Sequence, residues 1–305
     1  VGIIYEENAG FIVKKMIEYK RFDRALDIIY HSSHKNIQFD TTIIEETIIG
    51  IIKASDSNLF SRMQYELAKV VYLLDKREDA NLQTLYSIEV LLYRLLEHHG
   101  NINDTKFIKE IMSNPESLME IIDKTYLSSD ENERAVEFEQ VKNDNSYALL
   151  GWHIFYTLRQ TPFVDSNNTI DEVALNNYID QLQTLGNAKH KIKGVNTVIG
   201  ELLGNYPETE DYPSIPICDI IERLNNKEVN NGFRTRLYNK RGVTVRPAYE
   251  GGTLEKNEAD KYKKYADKIR YTHPIVCSIF DDLSRDYYQI AKNEDIRVKI
   301  EKMEF

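Results

Sequence analysis

The chain has 305 residues; 42% are hydrophobic, 49 are acidic and 39 are basic, for a formal net charge of −10. This balance excludes a disordered chain and one held on nucleic acid or anionic lipid by bulk charge. With 13 Gly and 7 Pro it also argues against a turn-rich β-sandwich or a doubly wound α/β fold.

The hydrophobic period is 3.6 almost throughout, which predicts helices. Phe22, Ala25, Leu26 and Ile29 share one helical face, and Ile44, Ile48, Ile51 and Ile52 form the next. The β-branched run favours a strand by propensity, but its grouping follows helical turns, and Thr42-x-x-Glu45 reads as a capping box. Stripes follow at Phe60, Met63, Leu67, Val70 and Leu74, then at Leu85, Ile88, Leu92, Leu95 and Leu96, with a stop at Gly100 in a left-handed C-cap. Asn114-Pro115 restarts a helix. The acidic stretch 128–144 reads as an exposed helix or a boundary. Tyr147, Leu150, Ile154 and Leu158 carry a helix around Trp152, and Thr169-x-x-Glu172 is expected to cap the next. Pro207, Pro213 and Pro216 mark a linker. Beyond it come helices near 217–225 and 228–240, a strand candidate at Val243-Thr244-Val245 too short for a sheet, and two long helices near 254–272 and 275–300.

These elements make an all-α protein, expected to be an irregular α-solenoid of antiparallel helical hairpins, with a compact multi-helix bundle as the alternative. The expected domains are a hairpin array over 1–206, with a sub-boundary near 128–145, and a C-terminal helical subdomain over 207–305. No apolar run approaches 18 residues, and Cys218 and Cys277 form neither a disulfide framework nor a zinc motif. A chain off the membrane in a reducing, cytoplasmic compartment is expected. It opens on Val1 rather than Met, which reads as a cut from a longer polypeptide.

No nucleotide-binding, G-x-S-x-G or H-x-E…C-x-x-C string occurs. His31 and His34 stand at i and i+3, and a third ligand from elsewhere would make a metal-dependent hydrolase of them. Exposed polar cap residues are the simpler reading, and no metal, cofactor or catalytic residue is assigned. The unusual window is Gly232 to Pro247, in which Arg234, Arg236, Lys240, Arg241 and Arg246 stand without an acid, interleaved with Phe233 and Tyr238. Arg234, Arg236, Tyr238, Lys240, Arg241 and Arg246 are therefore the candidates for contact with a partner or an anion. Against that stands internal pairing with acids such as those at 208–211 or 281–282. Twenty tyrosines, notably Tyr262, Tyr265, Tyr271, Tyr287 and Tyr288, hint at a binding face.

The segment Phe11 to Tyr30, with its turn at Tyr19 to Ala25, resembles one hairpin of tetratricopeptide-type repeats, although no 34-residue period follows. The order Arg241-Gly242-Val243, Arg246, Glu250-Gly251-Gly252, Glu255 to Tyr265, Pro274, Ser284 to Tyr287 and Glu294-Asp295 resembles the C-terminal end of large multidomain bacterial proteins of poorly defined function. That resemblance implies a helical scaffold or sensor region, with any catalytic or DNA-binding domain outside this chain, in a class that includes regulators and anti-phage defence proteins. The expected function is a non-enzymatic helical recognition region that binds a protein partner. Nucleic-acid or phosphate binding through 232–246 is the alternative.

Overall fold

Helices with a 3.6-residue apolar stripe can bury it only against one another. The structure, a computed structural model, describes residues 6–35, 37–54, 57–242 and 250–301. Among them the chain forms seventeen α-helices and no strand, apart from an isolated bridge between Val164 and Ile170. The strand candidate at 243–245 lies outside the described residues. The chain divides into two compact units, Val1–Glu110 and Ile111–Phe305. The expected boundary at 206/207 falls within the second.

The first unit holds α1 (Glu6–Glu18), α2 (Phe22–Ser33), α3 (Thr41–Ala54), α4 (Ser57–Arg62), α5 (Gln64–Asp75), α6 (Leu82–Leu91) and α7 (Tyr93–His99); the division falls within α8 (Lys106–Ser113). The helices α1 and α2 pack as the expected hairpin, turned by Lys20 in the left-handed region (φ 54°). In α3, Ile43, Ile44, Ile48 and Ile51 are all buried: tertiary burial overrides their strand propensity. The cap of α3 is Asp40, not Thr42; its carboxylate accepts from the Thr42 N–H at 3.0 Å and the Thr42 hydroxyl at 2.7 Å. Glu45 instead accepts from the Asn81 N–H at 3.1 Å. The stop at Gly100 holds, but in extended rather than left-handed backbone (φ −172°), and a Cβ there would sit 2.4 Å from the Tyr72 ring.

The second unit holds α9 (Pro115–Thr125), α10 (Glu131–Asn143), α11 (Ser146–Thr157), α12 (Glu172–Ala188), α13 (Ile192–Gly204), α14 (Ile215–Leu224), α15 (Lys227–Lys240), α16 (Thr253–Ile269) and α17 (Pro274–Glu301). Asn114 caps α9 with Pro115 in its first turn, as its sequence predicts. Asp171, not Thr169, caps α12, accepting from the Ala174 N–H at 3.0 Å, because a carboxylate also answers the helix dipole. The linker around Pro207 and Pro213 is tied to α15 and α16: Lys240 Nζ donates to the Tyr206 carbonyl at 2.5 Å and Lys268 Nζ to that of Tyr212 at 2.8 Å.

Helices α12–α13 and α16–α17 are antiparallel hairpins, and α13 and α15, with α14 between them in sequence, run parallel. Their contact is backbone on backbone. A Cβ at Gly200 would lie 2.1 Å from the Val229 carbonyl oxygen, and one at Gly232 would lie 2.1 Å from that of Thr197. Main chain cannot yield as a side-chain tip does, so only glycine permits this approach. On α15, Val229, Phe233 and Leu237 are buried, and on α17 Phe280 and Tyr287. The Tyr262 and Tyr287 rings stack at 5.8 Å, 6° from parallel. These two tyrosines are core, which corrects their reading as a binding face; Tyr271 and Tyr288 remain exposed.

Gly200→Ala and Gly232→Ala are expected to cost about 2 kcal/mol or more by forcing the helices apart. Gly10→Ala, with open space around it in α1, is expected to stabilise by about 0.5–1 kcal/mol. Urea unfolding of the three variants checks both signs.

Candidate functional site

The spacing that makes α15 a helix also decides where its cations go. Positions 229, 233, 236 and 237 share a face, so Arg236 follows the apolar side chains inward, with 3% of its surface exposed. Its guanidinium donates to Asn205 Oδ1, to the Tyr156 carbonyl at 3.0 Å and to the Phe155 carbonyl at 3.4 Å. The last carbonyls of α11 have no partner within their own helix, and Arg236 supplies one. Burial lowers its pKa to about 10, so it stays charged at neutral pH. The Lys240 ammonium is pushed down to about 8, again by burial.

Arg241 pairs with Glu255 at 2.7 Å and lies 5.5 Å from the Tyr287 ring centre. Glu255 itself is fully buried. Arg234 pairs with Asp286, and the half-exposed Tyr238 stacks on Tyr287 at 5.4 Å. Arg246 lies outside the described residues. The described cations of the window are thus drawn toward the protein itself, Arg241 to Glu255, Arg234 to Asp286, and Lys240 to the Tyr206 carbonyl with Glu208 near it. Glu208 pairs instead with Lys261, and Asp281 with Lys263 and Arg270. Of the five described candidates, Arg234 and Tyr238 line a cleft between α15 and α17 where an incoming molecule can meet them.

Chemistry elsewhere is modest. His31 Nε2 lies 3.2 Å from Asp27, His34 packs edge-on against Tyr30, and no group of three or more metal-ligating side chains occurs among the described residues. The hydrolase built on His31 and His34 therefore lacks its third ligand among those residues. Both thiols are free and buried, and burial raises each pKa, Cys218's to about 12. Neither is an activated nucleophile.

The first unit contains a feature the sequence hides. A cleft of about 790 Å³ is lined by Tyr30, His34, Tyr65, Lys69, Asp75 and Lys106, among others. Two acids receive the first turn of α8: Asp75, which lines the cleft, accepts from the Lys106 N–H at 2.7 Å, and Glu89 accepts from the Phe107 N–H at 2.9 Å. Glu89 is fully buried beside Asp75, to which its protonated carboxyl can donate. Burial and the neighbouring Asp75 push its pKa up to about 8. The legible signal was an acid inside the apolar stripe of Leu85, Ile88 and Leu92.

In the second unit α11 presents a different surface. Its buried side is Gly151, Ile154, Phe155 and Thr157, yet Leu149, Trp152 and Tyr156, at i, i+3 and i+7, stand 51%, 47% and 60% exposed. Tyr147, expected inside, is exposed as well. The preceding α10 buries no residue, and it exposes Val136 and Phe138 among its acids.

Because Glu89 is protonated in the folded chain and ionised when unfolded near neutral pH, its contribution to stability falls as pH rises from about 4.5 to about 8. Glu89→Gln is expected to raise the melting temperature at pH 8.5 by about 4 °C or more and to give no gain at pH 5. Calorimetry at both pH values checks it. No family model matches the chain, and neither a curated protein nor a solved structure does.

Proposed function

We propose that this chain is a non-enzymatic helical recognition region of a larger bacterial protein, and that it binds a protein partner through α10 and α11. The observation that carries this reading is the outward stripe of Leu149, Trp152 and Tyr156. A helix that is apolar all round is at home inside a protein, and here the side opposite the core faces solvent. Large aromatic side chains are the usual anchors of protein interfaces. Trp152 is also held in place, its ring 4.8 Å from that of Tyr126, so it loses little freedom on docking.

Charge narrows the partner. The segment 130–144 carries Asp130, Glu131, Glu133, Glu137, Glu139 and Asp144 against Arg134 and Lys142. A partner with an apolar ridge flanked by Lys or Arg complements it. The nucleic-acid alternative draws less support, since Arg236, Lys240 and Arg241 are engaged within the protein.

Trp152 is the sole tryptophan, so its emission reports on this surface alone. Titration with a synthetic amphipathic helix of Leu and Lys is expected to shift that emission to the blue and saturate, while the Leu/Glu counterpart has no effect. The double variant Leu149→Ser/Tyr156→Ser is expected to weaken binding at least tenfold with an unchanged melting temperature. A flat titration, or equal response to both peptides, overturns the reading.

A further inference from the structure

Helices α9 and α11 to α17 all bury apolar side chains, whereas α10 buries no residue. All of its residues but Glu137 and Val141 are exposed, and among the described residues it packs along no other helix. It is held by charge instead. Glu133 and Glu137, at i and i+4, share one face of α10 and form a clasp. Glu133 accepts from the Ser128 hydroxyl at 2.7 Å and lies 3.0 Å from His190 Nδ1. Glu137 accepts from the Ser128 N–H and from Lys191 Nζ, both at 2.7 Å. His190 and Lys191 belong to the turn between α12 and α13.

A helix released from this clasp uncovers no apolar core, so the hydrophobic term that resists opening elsewhere is missing. Release does not strand a charge either. The Lys191 side chain is 2% exposed, yet its ammonium also donates to the Tyr126 carbonyl at 2.6 Å and lies 3.8 Å from Asp123. Both of those acceptors stay behind with α9, so the buried ammonium keeps partners. The two carboxylates are only partly withdrawn from water and return to it. Both ends of the segment remain fixed, because α9 and α11 pack closely: a Cβ at Gly151 would sit 1.8 Å from Thr125 Oγ1. With 13 residues, α10 is too short to persist as a helix on its own, so it opens by unwinding.

We infer that α10 is a strap that opens as a unit when the clasp of Glu133 and Glu137 lets go, while the rest of the second unit stays folded, and that the partner holds it closed. The first half stands on the clasp alone; the second rests on the proposed function. Glu131 and Phe138, seven positions apart, lie on the face opposite the clasp and are exposed. They stand together only while α10 is helical. A partner that touches both therefore binds the closed state better and shifts the population toward it.

Hydrogen–deuterium exchange of the full chain, read by mass spectrometry at low salt and at about 1 M NaCl, tests it. At the higher concentration the Debye length is about 3 Å and the clasp is screened. Amides of 131–143 are then expected to exchange about fivefold faster or more, while those of α11 to α13 keep their rates. The double variant Glu133→Gln/Glu137→Gln is expected to show the fast rate at both salt concentrations with an unchanged melting temperature. A rate for 131–143 that salt leaves unchanged, or that moves only together with α13, overturns the strap. The Leu/Lys amphipathic helix, added at low salt, is expected to slow exchange over 131–143 about fivefold or more. No slowing while Trp152 emission shifts overturns the coupling to the partner alone. No slowing and no shift overturns that coupling together with the reading of α11.

Discussion

The backbone contact between α13 and α15 organises the second unit. At Gly200 and Gly232 no Cβ stands between the two main chains, and the close approach that results fixes the rotation of α15. With that rotation set, Arg236 has to enter the interior, where it finds Asn205 and the free carbonyls of α11. The opposite side of α15 has to face outward along α17. One close approach therefore assigns the cations of α15: some become internal fasteners, while Lys227 and Arg234 stay at the surface.

The helices were legible because burial and spacing agree along most of the chain. Ile43, Ile44, Ile48 and Ile51 show why period outranks propensity: their turn-by-turn grouping survives in α3 although each residue alone favours a strand. Caps were legible by position but not by residue. Asp40 and Asp171 took the places expected of Thr42 and Thr169, since a charged acceptor adds dipole energy to the same hydrogen bond. The close contact of α13 with α15 was not legible, because glycine spacing permits an approach without saying which helix arrives.

The sites were harder to read for a physical reason. A run of arginines states a charge, whereas its role depends on which acids and carbonyls the fold brings near. Asp286 and Glu255 lie 52 and 14 positions from the arginines they hold, and neither separation announces a pair. Likewise Leu149, Trp152 and Tyr156 are flanked in sequence by the stripe of Tyr147, Leu150, Ile154 and Leu158, and spacing alone does not single them out as outward. Only the packing of α11 through Gly151, Ile154 and Phe155 leaves them facing out.

Glu89 has a thermodynamic consequence beyond the first unit. The formal charge of −10 counts its carboxyl as ionised, yet in the folded chain that group keeps its proton at pH 7. Denaturation at that pH liberates it to the surrounding buffer. The heat absorbed on melting therefore includes the protonation enthalpy of whichever buffer receives it, and differs between phosphate and Tris solutions of equal acidity.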